Sequence, residues 1–255
     1  MIILEQDQSF IMVTQHDHAM VSGQIAENWK EEYFPELDHK QDVVLACYEH
    51  DRGWIELDKN PKWNAINQKP YSFMDYPAEP KITYYKRGIE EVFNLNKYAA
   101  LLCSLHYTSF LHNPTSPVSR RFVSEENNRQ QQLLNRFNIN GNSVKEKNLL
   151  YHLDILKFCD NLSLYLCLNK PGTTKTKEYP FFRNGFPQVF PFAHNQPISA
   201  DWSFKEYIKL SVSPLMGPLQ VALPYKEVQK SSIDKHGLAS AYKGAPLNYR
   251  EVKIM

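Results

Sequence analysis

The chain has 255 residues, enough for a full hydrophobic core, and its 42% hydrophobic and 22% charged residues are ordinary globular usage, which excludes wholesale disorder. Lysine and arginine number 29 against 28 acids, so a formal charge of +1 argues against a nucleic-acid polymer or an anionic membrane surface as partner. With 16 prolines, 9 glycines and 13% aromatic residues, the chain calls for ordered, packed loops rather than flexible linkers. Residues 1–13 read as one or two short strands, with Ile2, Ile3, Phe10, Ile11 and Val13 as the apolar set. This start has no basic region and acids interrupt it, unlike a signal peptide. No apolar run reaches the ~18 residues of a membrane span, so a cytoplasmic protein is expected.

Helical character begins near Thr14, and His18, Ser22, Ile25 and Trp29 fall on one face. Pro35 breaks that helix, Asp42 is the expected N-cap of the next, VVLACYEH, and Gly53 ends it. Residues 52–85 read as one long aromatic- and proline-rich loop, a kind of segment that is usually functional or well packed. Helices resume around 88–93 and 97–111, ended by Pro114 and Pro117. A polar, exposed helix follows over 124–137, then a long apolar one over 145–168. The character changes at KPGTTKTKEYPFF, with strand-like runs at 207–212 and 219–224. The expected fold is therefore mainly α, with α+β character overall: a helical domain over 1–170 and a smaller strand- and loop-rich segment, 171–255, packed on it. Cys47, Cys103, Cys159 and Cys167 all lie in apolar stretches and are expected as reduced core thiols.

Gly-rich phosphate loops, a GxSxG elbow, an HExxH motif and zinc-finger spacing are all absent from the sequence. A dispersed set of His and Asp remains. His50 and Asp51 are adjacent at the end of an apolar helix. His18 shares a face with Ile25 and Trp29, His106 with Leu102 and Cys103, and Asp160 with Leu153, Leu156 and Leu164. Buried carboxylates are costly unless paired, and a divalent ion resolves that cost. Imidazole and carboxylate together suit Fe, Mn or Zn, and such an ion lowers the pKa of water and polarises phosphoryl oxygen.

The order of these residues resembles the HD-domain superfamily of metal-dependent phosphohydrolases. The resemblance implies an HD-like helical bundle in which His18, His50, Asp51 and Asp160 hold one ion and His106 helps to hold a second. The strings QHDHAMVSGQIAENW, EHDRGWIELDKNPKWN, KPYSFMDYP, SLHYTSFL and FCDNLSLYLC also resemble an uncharacterised bacterial family, domain of unknown function family 3891, over nearly the whole chain. Its doublet segment typically reads His-Asp-Asp-Gly-Trp, whereas Arg52 stands here in place of the second acid.

Around this set, Asp51 is the expected catalytic carboxylate at the metal, and Arg52 and Lys157 are candidates for holding a substrate phosphate. Asp58 is a candidate support for a ligand histidine. Glu49 could carry a proton, although a solvated helix position suits it better. His152 is an extra candidate ligand below His106, while His16 faces away, and His39, His112, His194 and His236 receive no role. The leading expectation is a phosphohydrolase acting on a small phosphorylated metabolite or nucleotide with one or two divalent ions. The alternatives are a non-catalytic metal-stabilised or ligand-sensing module and a di-iron oxidative enzyme. A small molecule is the expected partner, with a homo-oligomer left open.

Overall fold

A computed structural model describes residues 1–111, 113–114 and 116–255, so His112 lies outside the described residues. Strands β1 (Ile2–Glu5) and β2 (Ser9–Val13) form a hairpin in which Ile2 faces Val13. The chain then turns at Thr14, whose hydroxyl accepts from the Asp17 N–H and caps α1 (Gln15–Glu27). Helix α2 (Lys40–Glu49) runs into His50, and a 3-10 turn, Arg52–Trp54, leads to the short α3 (Ile55–Asp58). A tight pair, β3 (Trp63–Asn64) and β4 (Lys69–Pro70), precedes four long helices: α4 (Ala78–Leu95), α5 (Lys97–Ser109), α6 (Pro117–Arg136) and α7 (Val144–Leu168).

The rest of the chain supplies β5 (Ala200–Phe204), β6 (Tyr207–Leu210), β7 (Leu219–Gln229), α8 (Lys230–His236), α9 (Leu238–Gly244) and β8 (Leu247–Ile254). The six-stranded sheet runs β1-β2-β7-β8-β6-β5. Its neighbours are antiparallel except for the parallel pair β6 and β8. The architecture is thus a set of helices joined to one sheet. That sheet takes β1 and β2 from before residue 170 and the other strands from after it. One core likewise spans both sides, joining Ile25, Cys47, Leu102 and Leu156 with Val221 and Val252. All four cysteines are free and buried. Among the described residues no helix is long and apolar enough to cross a membrane.

Two expectations need correction. Residues 52–85 are not one loop: α3 and the β3–β4 pair break it, and α4 already begins at Ala78. Pro80 sits in the first turn of α4, where a missing N–H costs nothing, so it does not stop the helix. Likewise Pro117 starts α6 rather than ending the helix before it. Asp42 lies inside the first turn of α2 and accepts from the Asn96 amide instead of capping the helix.

The rings of this region form a second core in which Trp54, Tyr76, Ile82, Tyr85, Tyr107 and Phe122 pack together. Helix α4 reaches the Arg52–Trp54 turn through two glycines. A Cβ on Gly53 would stand 2.5 Å from the Tyr84 carbonyl oxygen, and one on Gly88 would stand 2.6 Å from the Gly53 nitrogen. Backbone meets backbone here, which fixes α4 against the segment that carries His50 and Asp51.

Candidate metal centre and its cavity

Four segments bring the five sequence-selected residues together. His18 comes from the first turns of α1, His50 and Asp51 from the end of α2, His106 from α5 and Asp160 from the middle of α7. All five are buried. His18 Nε2 and His50 Nε2 face each other at 3.3 Å. Asp160 Oδ1 lies 3.1 Å from His18 Nε2 and 3.6 Å from His50 Nε2. Asp51 Oδ2 lies 3.5 Å and 3.6 Å from the same two nitrogens. His106 Nε2 stands 3.5 Å from Asp160 Oδ2.

The outer hydrogen bonds determine which nitrogens face inward. His50 Nδ1 is 2.8 Å from the Cys47 carbonyl, which can only accept, so Nδ1 carries the proton and Nε2 presents its lone pair. Ser163 Oγ donates to the His18 carbonyl at 2.8 Å and therefore accepts from His18 Nδ1, also at 2.8 Å. Two imidazole lone pairs thus point at one spot between two carboxylates. Such a donor set repels itself unless a cation sits within it, and two nitrogens with two oxygens match a first-row divalent ion. Among the described residues two groups are close enough to hold an ion, His18 with His50 and Asp51, and His50 with His106 and Asp160.

In the protein alone, protons do the balancing. Burial works against a charged His50, but Asp51 and Asp160 overcome it and push His50 up to about 10. Burial also opposes charge on Asp160, yet hydrogen bonds from His18 and His50 hold its carboxyl well below the usual carboxylate range. Asp51 moves the other way: burial raises it, with His50 and His18 pulling it back. Burial drives His106 down to about 3, so its ring is a neutral imidazole, and its buried Nδ1 has no hydrogen-bond partner among the described residues.

Residues that sequence reasoning passed over complete the setting. Gln15, one turn before His18, donates through Nε2 to Asp51 Oδ2 at 2.9 Å. The Tyr107 hydroxyl donates to Asp51 Oδ1 at 3.3 Å. Ser163 follows Asp160 by three positions on the same helical face, so its spacing was the available signal.

Other candidates lie elsewhere. Arg52 is held by Glu49 at 2.9 Å and Glu91 at 2.7 Å and does not line the cavity described below. The same ion pair occupies Glu49. Lys157 is half-buried outside that lining, with its pKa lowered by burial. Asp58 supports none of the described histidines: it accepts from the Met1 amine at 2.5 Å and the Gln15 N–H at 2.6 Å. His152 is remote from the five, its Nε2 donating to the Pro35 carbonyl at 2.7 Å and its Nδ1 accepting from the Tyr98 hydroxyl at 2.8 Å.

A cavity of about 730 Å³ opens beside the cluster, with Asp51, His106 and Asp160 on its wall. The segment after α7 closes one side through Tyr179, Pro180, Phe181 and Phe182. The Tyr179 hydroxyl reaches Met74 Sδ at 3.2 Å, which ties that segment to the turn before α4.

Residues 1–230 match the model of a family described as Protein of unknown function (DUF3891). No curated protein and no solved structure matches the chain.

Proposed function

Taking as premise that the chain belongs to the DUF3891 family, we propose that it is a metal-dependent phosphohydrolase acting on a small phosphorylated compound. The observation that carries this reading is the convergence of the His18 and His50 Nε2 atoms, 3.3 Å apart, on two buried carboxylates beside an open cavity. His18, His50, Asp51 and Asp160 would hold one Fe, Mn or Zn ion. When bound, such an ion supplies an acidified water and polarises a phosphoryl oxygen. Gln15 and Tyr107 hold the Asp51 carboxylate in place, and Ser163 and the Cys47 carbonyl hold the two imidazoles. His106 reaches the cavity as a neutral ring, suited to hydrogen-bond the reacting group rather than to carry a proton, since burial holds it down at about 3.

Access to the cavity supports turnover over a sealed structural ion, whose coordination shell would be closed by protein. His50 offers a single lone pair, because its Nδ1 is committed to Cys47. It can therefore serve only one ion, which favours one principal ion over a di-iron pair that shares His50.

The test is elemental analysis of untagged, chelator-free protein, followed by assay of metal-loaded protein on phosphate monoesters. About one equivalent of transition metal is expected in the wild type, with loss of metal and of phosphate release in His50→Ala and Asp51→Ala. Stoichiometric metal retained in both variants would overturn the centre. A metal-loaded wild type that releases no phosphate from any monoester would overturn the hydrolase.

A further inference from the structure

The cavity wall is rich in aromatic residues. Trp54, Phe73, Tyr85, Tyr107, Phe110 and Phe182 all contribute to it. The Tyr85 and Tyr107 rings stack with centroids 4.0 Å apart, and Phe110 meets the His106 ring edge-on at 4.7 Å. Against these rings stands one cation: among the described residues of the lining, Lys81 is the sole lysine or arginine. Among the described residues its ammonium makes one hydrogen bond, a long one of 3.4 Å to the Phe73 carbonyl, and it also feels the charge of Asp75. The nearest acid on its own side, Asp75, is already taken up by Ser72, Asn64 and Asn67. The remaining charged groups of the wall are Asp51 and Asp160, at the proposed metal centre.

We infer that this cavity receives a ligand with one flat aromatic group and a single phosphate, the ring lying against the exposed aromatic side chains of the wall, Phe110, Tyr179 and Phe181, and the anion meeting Lys81. This deepens the proposed function, resting on it for the chemistry that follows binding, while the recognition itself needs no metal. A polyphosphate brings several negative charges, and sites that bind it gather several arginines, lysines or ions around them. Here one lysine and two carboxylates face the space, so each added phosphate meets repulsion. A ring is different: its faces and edges gain dispersion and quadrupole contacts from an aromatic wall, and burying it adds a large apolar area. The volume suits a ligand of this size, since small-molecule pockets run to roughly 300–1,000 Å³.

The experiment is equilibrium binding to metal-free protein, kept in chelator, followed by calorimetry and tryptophan fluorescence. The probes are 1-naphthyl phosphate, glycerol 2-phosphate and ATP. Expected is naphthyl phosphate binding at least about tenfold tighter than either of the others, since neither adds an equal apolar area without added charge. Lys81→Ala should weaken naphthyl phosphate about tenfold, and Lys81→Arg should restore most of that loss. Phe181→Ala, at a half-exposed position on the wall, offers a second variant that leaves the core untouched; it should narrow the gap between the naphthyl and glycerol esters. Equal binding of the three probes, ATP binding tightest, no binding of naphthyl phosphate, or indifference to both Lys81→Ala and Phe181→Ala would each overturn the inference. Metal content and phosphate release, measured separately, judge the hydrolase. Aryl selectivity without turnover would sink the reaction and leave the recognition standing, and turnover without aryl selectivity would do the reverse.

Discussion

The hydroxyl of Ser163 touches His18 twice, accepting from its Nδ1 at 2.8 Å and donating to its backbone carbonyl at 2.8 Å. One side chain on α7 thereby sets both the tautomer and the orientation of a ring on α1. Ser163→Ala removes this lock without replacing any proposed ligand. Loss of such an outer partner typically costs 10–100-fold in metal affinity. A competition titration with a chromogenic chelator should show about that loss, with the far-ultraviolet circular dichroism unchanged. Wild-type affinity in the variant would mean that Ser163 is packing only.

His152 provides the contrast. It is as buried as His18 and lies on the same helix as Asp160, but both of its nitrogens are satisfied by Tyr98 and Pro35. His152→Ala should lower stability by about 1–3 kcal/mol, because it strands the buried Tyr98 hydroxyl and the half-buried Pro35 carbonyl. Metal content should stay at the wild-type level. A variant that lost metal while remaining folded would relocate the centre.

Gly53 and Gly88 allow no side chain between them. Gly53→Ala or Gly88→Ala should cost about 1–3 kcal/mol in urea unfolding, the usual penalty of overpacking. The variant should also loosen α4 against the His50–Asp51 segment, and metal affinity should fall with stability. Gly141→Ala is the control, since nothing lies within 4 Å of a Cβ at that site. Neutral substitutions at both Gly53 and Gly88 would mean that α4 and the turn are not held in backbone contact.

Asp75 fastens the turn before α4. Burial alone would raise its carboxyl, but the Ser72 hydroxyl and N–H, together with Asn64 and Asn67, outweigh burial and lower it from its ordinary 3.8. A carboxyl lowered in the folded protein contributes stability that is fully present above 3.8 and is lost as pH falls through the folded value. Amide exchange at Ser72, corrected for intrinsic rate, should therefore stay slow at neutral pH and accelerate below 3.8. Asp75→Asn should show fast exchange already at pH 7. Equal protection in the two proteins at neutral pH would refute the fastening role.

The metal-centre candidates were legible because each sits on an apolar helical face, where an ionisable group is out of place. The same argument singled out His152, and the failure there is geometric. Eight residues along α7 separate His152 from Asp160, a rise of about 12 Å, and face spacing says nothing about height along the axis. Arg52 looked like a phosphate ligand because it follows the doublet, but a 3-10 turn points it outward to Glu49 and Glu91. Lys81 and Tyr107 went unnoticed because their place on the cavity wall depends on how α4 and α5 pack. The start of α4 carried a readable signal in Ile82, Tyr85, Ile89 and Val92, at helical spacing, masked by Pro80 and the surrounding rings. Strands β5 and β8 were missed, and the pairing of β2 with β7 has no local signature at all.

That pairing has a consequence for synthesis. Ser9 on β2 donates to Glu227 on β7 across 218 residues, and α1 with His18 starts directly after β2. A nascent chain that has emerged through α7 already carries all five His and Asp residues, yet the strand that seats the front of α1 has not been made. Contacts of such long sequence separation form late, because the entropy of closing the loop is lost before they contribute. Until β7 arrives, β2 presents an unpaired edge and the carboxylates of the centre lack their settled surroundings. Ion capture by the proposed centre is therefore expected only after β7 has been made and has paired with β2.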